Sequence, residues 1–250
     1  MSDILEVDSV SKSFGGVRAV DGASFRIGAP GIYGLIGPNG AGKTTLFDVI
    51  CGRQFADSGS VRLAGVRIDR LRVHQRVRLG LARTFQECRV LEEETCLDNV
   101  LFAAQDKNLG REMIQTFGRS EAYRRTAMAE AERLLDLVNL GNLQAEPAGN
   151  LSYGQRRLLE IVSSLIVKPR LLLLDEPASG INPTLLNMLR DFLLRMFAER
   201  QIVVVIVEHN MEFIMSLASH ILVMHQGRVL EEGPPAAVQT SQRVIDAYLG

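Results

Sequence analysis

The chain has 250 residues, 46% hydrophobic and 23% charged, enough apolar content for one domain with a buried core. Lys+Arg 28 against Asp+Glu 29 leaves a formal net charge of -1, so no global field draws nucleic acid or an acidic lipid surface. Aromatics at 6% with no Trp also argue against a base-stacking platform, and Cys51, Cys88 and Cys96 show neither a CxxC pair nor zinc spacing.

The N-terminal residues lack a basic region followed by an apolar run, and no stretch approaches the ~20 apolar residues of a membrane span. A cytoplasmic protein is expected, with any membrane role exercised through a partner. Short apolar or alternating runs at 4–10, 23–27 and 32–36 are separated by Gly15-Gly16, Gly28 and Pro30-Gly31 and predict strands joined by turns. The third run enters a Gly-rich loop, and Leu46, Phe47, Val49 and Ile50 then fall at helical spacing before Gly52.

From about residue 90 to 169 the character is helical, with Tyr123, Ala127, Ala131, Leu134, Leu135 and Val138 on one face. Residues 171–174 and 202–207 are continuous apolar runs, the pattern of parallel strands covered on both faces. Between them Asn182-Pro183 opens a helix, and 221–224, Gln226-Gly227 and 228–230 predict a hairpin. The expected fold is α/β: a P-loop NTPase core with a parallel sheet, an antiparallel β subdomain and a helical insertion. All 250 residues are expected to form a single domain whose helical subdomain spans about 90–169.

Gly37-Pro38-Asn39-Gly40-Ala41-Gly42-Lys43-Thr44 matches GxxxxGK[ST] between a predicted strand and helix. Its glycines turn backbone N–H groups toward phosphate oxygens, and the helix N-terminus adds its positive end. Lys43, one of four lysines, is placed for the β- and γ-phosphates, and Thr44 for Mg²⁺. A bare Gly-rich turn is the plainer alternative. Asp175 and Glu176 follow a buried strand, at the edge where ligands of α/β folds collect. Asp175 suits Mg²⁺ held through water, and Glu176 suits a general base. His209, delivered by the next apolar strand, is by itself a surface or core imidazole as readily as a γ-phosphate contact, and a solitary Gln86 points to no role; only a family pattern assigns Gln86 as a bridge between Mg²⁺ and the attacking water and His209 to the γ-phosphate. Leu151-Ser152-Tyr153-Gly154-Gln155 precedes an amphipathic helix, with Ser152 and Gln155 at capping-box spacing. A capped helix and an anion site remain alternatives there.

In this order the phosphate loop, Gln86, residues 151–155, the Asp175-Glu176 pair and His209 resemble ABC-type ATPases over nearly the whole chain. The resemblance implies ATP and Mg²⁺ as cofactors, with Phe14 stacked on adenine and the nucleotide-binding set running from Gly37 through Thr45. It implies that Ser152, Tyr153, Gly154 and Gln155 serve nucleotide held by a second ATPase subunit, so that two sites close at a dimer interface. Within the family, residues 82–86, 177–183, 208–211 and 247–250 resemble the ATPases of branched-chain amino-acid uptake. Such systems imply integral membrane permease subunits and, indirectly, a periplasmic solute-binding protein, with this chain peripheral on the cytoplasmic face of the inner membrane.

There are two departures from the family pattern. Tyr153 stands where the signature usually has Gly, placing a side chain where backbone approaches phosphate. Asn182 stands where many members have Asp, removing a charge from a loop expected to link the two sites. Three other classes compete. A P-loop kinase or GTPase does not need residues 151–155, and no Asn-Lys-x-Asp is present. Repair or translation ATPases usually carry tandem cassettes. A lipopolysaccharide export motor resembles this chain broadly.

Overall fold

The computed structural model describes residues 3–84, 88–105 and 121–249. They fall into two compact units, Met1–Arg83 with Arg170–Ala178 and Met196–Gly250, and Thr84–Pro169 with Ser179–Arg195.

The first unit holds two sheets. Strands β1 (Leu5–Phe14), β2 (Val17–Ile27), β4 (Ser58–Leu63) and β5 (Val66–Arg67) form an antiparallel sheet in the order β2-β1-β4-β5. The strands expected at 4–10 and 23–27 run on until Phe14 faces Val17 across Gly15-Gly16. Both glycines have positive φ, +51° and +87°, as a two-residue hairpin turn requires. The added residues are largely polar or exposed, so ladder hydrogen bonds rather than an apolar face keep them in the strands.

The second sheet comprises β3 (Gly31–Ile36), β6 (Leu81–Arg83), β7 (Leu171–Asp175), β8 (Val203–Val207), β9 (His220–His225) and β10 (Arg228–Gly233), in the order β10-β9-β3-β8-β7-β6. All pairings are parallel except β9 with β10. β7 and β8 are buried at every residue, which explains why their sequences are apolar runs broken only by Asp175 at the end of β7. The register sets Val207 level with Leu35 of β3 and with Asp175 of β7, so three strands end together on one edge.

Helix α1 (Lys43–Cys51) packs Leu46, Phe47, Val49 and Ile50 into the core at 0–1% exposure, each contributing roughly 1.5–3 kcal/mol. Its C-terminal end is fixed by Arg76 of α2 (Val73–Arg78), which is fully buried and donates to the carbonyls of Val49 and Ile50. A cation there also complements the helix dipole.

The second unit is helical. α3 (Cys96–Gln105), α4 (Glu121–Leu137) and α5 (Tyr153–Ile166) pack on one another around Ala131, Leu134, Leu135, Leu158 and Val162. It also contains the first turns of α6 (Pro183–Arg200), where Asn182 Oδ1 accepts from the Leu185 N–H at 3.0 Å. Three short helices, α7 (Met211–Leu217), α8 (Pro235–Thr240) and α9 (Gln242–Leu249), complete the first unit. Among the described residues no helix is long and apolar enough to cross a membrane.

Candidate functional site

β3 runs straight into the Gly37–Lys43 loop, whose shape is set by contacts that only glycine permits. A Cβ on Gly37 would stand 2.1 Å from the Met224 carbonyl oxygen, and one on Gly42 would stand 2.2 Å from that of Ala19. Gly40, at φ +78°, instead faces open space. The N-terminus of α1 begins at Gly42 with no side-chain cap. An uncapped helix start beneath a glycine turn with room above it fits phosphate oxygens. Lys43 is 5% exposed, and its Nζ donates to the Gly37 and Pro38 carbonyls at 2.6 and 3.0 Å. Burial pushes its pKa down, against the upward pull of the Glu176 and Asp175 carboxylates.

On the same edge, Asp175 is buried and its Oδ2 accepts from Arg83 Nη2 at 2.9 Å. Arg83 also donates to Asp48 and Cys51 of α1. Burial alone would lower the Arg83 pKa; Cys51, Asp48 and Asp175 hold it above the ordinary value. Glu176 has φ +46°, a left-handed conformation that costs a non-glycine residue on the order of 1–3 kcal/mol. Its N–H donates to the Val207 carbonyl at 2.9 Å, and its Oε1 lies 3.1 Å from His209 Nε2. Among the described residues no group of three His, Cys, Asp or Glu could cage a metal. An exposed Thr44 hydroxyl with one buried carboxylate instead fits Mg²⁺, which keeps waters and takes phosphate oxygens.

Phe14, at the end of β1, is 45% exposed, and Lys12 Nζ sits 5.3 Å from its ring centroid. The same ammonium pairs with Asp57 at 2.9 Å, and with the Ser13 N–H it holds that carboxyl below its usual pKa.

In the second unit Ser152 caps α5 reciprocally. Ser152 Oγ accepts from the Gln155 N–H at 3.3 Å, and the Ser152 N–H donates to Gln155 Oε1 at 3.0 Å. Both line an open cleft of 480 Å³ with Asn182, Pro183, Thr184 and Leu185. The Tyr153 ring lies against Gly180, and a Cβ on Gly154 would meet Leu185 at 2.6 Å.

Residues 20–179, well over half the chain, match the ABC transporter family. The chain belongs to this family of ATPases. Residues 228–250 match a second family, described as branched-chain amino acid ATP-binding cassette transporter. The high-affinity branched-chain amino acid transport ATP-binding protein BraF of Pseudomonas aeruginosa is 38% identical over 99% of this chain and 98% of its own. LivG of Escherichia coli K12, of the same description, is 33% identical over the same shares. The crystal structure of the ADP conformation of an ATP-binding cassette of an ABC transporter superposes with TM-score 0.85 at 29% identity, covering 100% of both chains.

The residues that the sequence singles out in this ABC ATPase thus fall in both units. Phe14, the 37–45 loop, Asp175, Glu176 and His209 lie in the first, and Ser152 to Gln155 lie in the second. Gln86 lies outside the described residues. Tyr153 remains 41% exposed, with one ring edge beside Gly180. Sequence reasoning passed over Arg83 as part of a family stretch and Glu208 as the neighbour of His209. The available signal was positional: each is a charged residue at or just past the end of a buried strand, as Asp175 is.

Proposed function

We propose that this ABC ATPase is the motor of an importer of branched-chain amino acids. The observation that supports it is the likeness of residues 228–250 to a segment described for branched-chain amino acid cassettes, together with relatives of that description along the full length.

In this reading Lys43 turns from the Gly37 and Pro38 carbonyls to the β- and γ-phosphates of ATP, while the N–H groups of the loop and of the first turn of α1 surround their oxygens. Phe14 carries the adenine. Thr44, Asp175 and Gln86 would hold Mg²⁺, which when bound neutralises charge developing on the phosphate oxygens. Arg83 holds the Asp175 carboxylate at the strand end through its Oδ2. Glu176 takes a proton from the attacking water, and His209 orients Glu176 and donates toward the γ-phosphate. Ser152 and Gly154 close over ATP held by a second ATPase subunit, so hydrolysis and subunit separation are linked. The chain sits on the cytoplasmic face of the membrane, bound to permease subunits that receive solute from a periplasmic binding protein.

The test is reconstitution. Tagged protein extracted from membranes in mild detergent brings integral membrane subunits with it, and the assembly in vesicles takes up leucine, isoleucine or valine from its binding protein when ATP is supplied. Recovery of no membrane protein, or ATP-driven movement in the opposite direction, overturns the reading.

A further inference from the structure

Directly after β8 stands Glu208, a carboxylate only 3% exposed. A buried carboxylate is costly unless its lone pairs are filled. Three backbone N–H groups fill these: Ala178 donates to Oε1 at 2.7 Å, and His209 and Asn210 donate to Oε2 at 2.9 and 3.1 Å. Each oxygen therefore serves a different segment. Oε1 holds the segment two residues beyond Glu176, where the intervening Pro177 has no N–H to offer. Oε2 holds the start of the segment that carries His209.

These bonds close a ring around the strained residue of the site. Glu176 is at φ +46°, a conformation kept only where the surroundings over-determine it. Its N–H is tied to Val207, its carboxylate meets the His209 imidazole at 3.1 Å, and Glu208 joins the His209 backbone to Ala178. We propose that Glu208 is a positioning residue for ATP hydrolysis: its carboxylate locks the Glu176 turn to the His209 segment and so sets the mutual placement of the two side chains. The inference rests on the reading of Glu176 as general base.

The geometry calls for acceptor oxygens on both arms of this side chain. Three converging donors need an acceptor-only group, whereas the amide of Gln offers one oxygen and presents its own N–H bonds to at least one of them. Glu208→Gln keeps the shape and breaks the lock. Glu208→Asp keeps the charge but is one methylene too short to reach both segments.

The experiment measures ATP hydrolysis, ATP binding and thermal unfolding for Glu208→Gln, Glu176→Gln and the double variant, each assembled with the membrane subunits. Glu208→Gln should lower kcat by roughly 10- to 100-fold, the scale of a misplacement near 1 Å, with ATP Kd within about twofold of the parent. In the Glu176→Gln background it should add nothing. Glu208→Asp should reproduce the kcat loss, and it carries the test if the Gln variant does not fold. Parental kcat in the Asp variant or in a folded Gln variant, weakened ATP binding in step with kcat, or the same fold-loss in both backgrounds overturns the inference. If Glu176→Gln itself hydrolyses normally, the assignment of the base fails first; if it is inactive while Glu208→Gln is not, only the positioning role fails.

Discussion

The Tyr153 ring lies so close over Gly180 that a Cβ built on Gly180 would stand 2.8 Å from the ring edge. Gly180 is at φ +70°, so the contact combines an absent side chain with a backbone that L-residues avoid. The signature segment and the loop before α6 are therefore fitted to each other through one aromatic edge. Gly180→Ala is expected to destabilise the protein by about 1–3 kcal/mol, the left-handed cost plus displacement of the ring. Adding Tyr153→Ala should recover the steric part and leave the backbone part, so the two changes are non-additive in denaturant titrations.

Lys43→Ala should weaken ATP binding by about 100-fold or more, because the charge-assisted bonds to two phosphates go with the ammonium. Titration with a fluorescent nucleotide reads this directly. Unchanged affinity would remove Lys43 from the site.

Glu176→Gln should retain ATP and hydrolyse it roughly 100- to 10,000-fold more slowly, the range for loss of a general base. Unhydrolysed ATP should then hold two ATPase subunits together. Light scattering should show an ATP-dependent dimer, formed with itself or with a second ATPase, that Ser152→Arg disrupts. A variant that stays monomeric with ATP in both settings would count against closure of Ser152 and Gly154 over a neighbour's nucleotide.

The thiols give a pH prediction. The Cys88 pKa is pushed from 9.0 up to about 12, by burial first and by Glu160 next, against Arg157 and Arg156. Burial also raises that of Cys96. A thiol whose folded pKa is raised is neutral at pH 8, so Cys88 in the native protein should alkylate on the order of 1,000-fold more slowly than in the unfolded chain. The sign for stability follows: the contribution of the neutral thiol is complete below pH 9.0 and is lost as pH rises toward about 12. Fast labelling of Cys88 at pH 8 without unfolding would contradict this.

The placement of Lys43, Asp175 and Glu176 was legible in the sequence because it is local: a residue type at a fixed step from a buried strand and a helix start. Residues 171–174 and 202–207 were legible as buried parallel strands for the same reason, since burial on both faces leaves no polar alternation. The lengths of β1 and β2 were not, because their outer halves are held by cross-strand bonds that leave no apolar trace. Arg83 and Glu208 were not, because a charge acquires its role only when the fold supplies partners from afar, Asp175 for one and Ala178 for the other. The direction of the Tyr153 ring depends likewise on Gly180, 27 residues away in the chain.

The Lys43 ammonium already holds two carbonyl oxygens of its own loop. A phosphate that recruits it therefore makes an exchange of partners, and the affinity gained is the difference between two sets of bonds. The same two bonds tie the ammonium back across the glycine turn, so part of the loop's shape is held by the chain's own groups. Mutating Lys43 thus alters the free protein as well as the bound one, and the affinity lost on titration reports both.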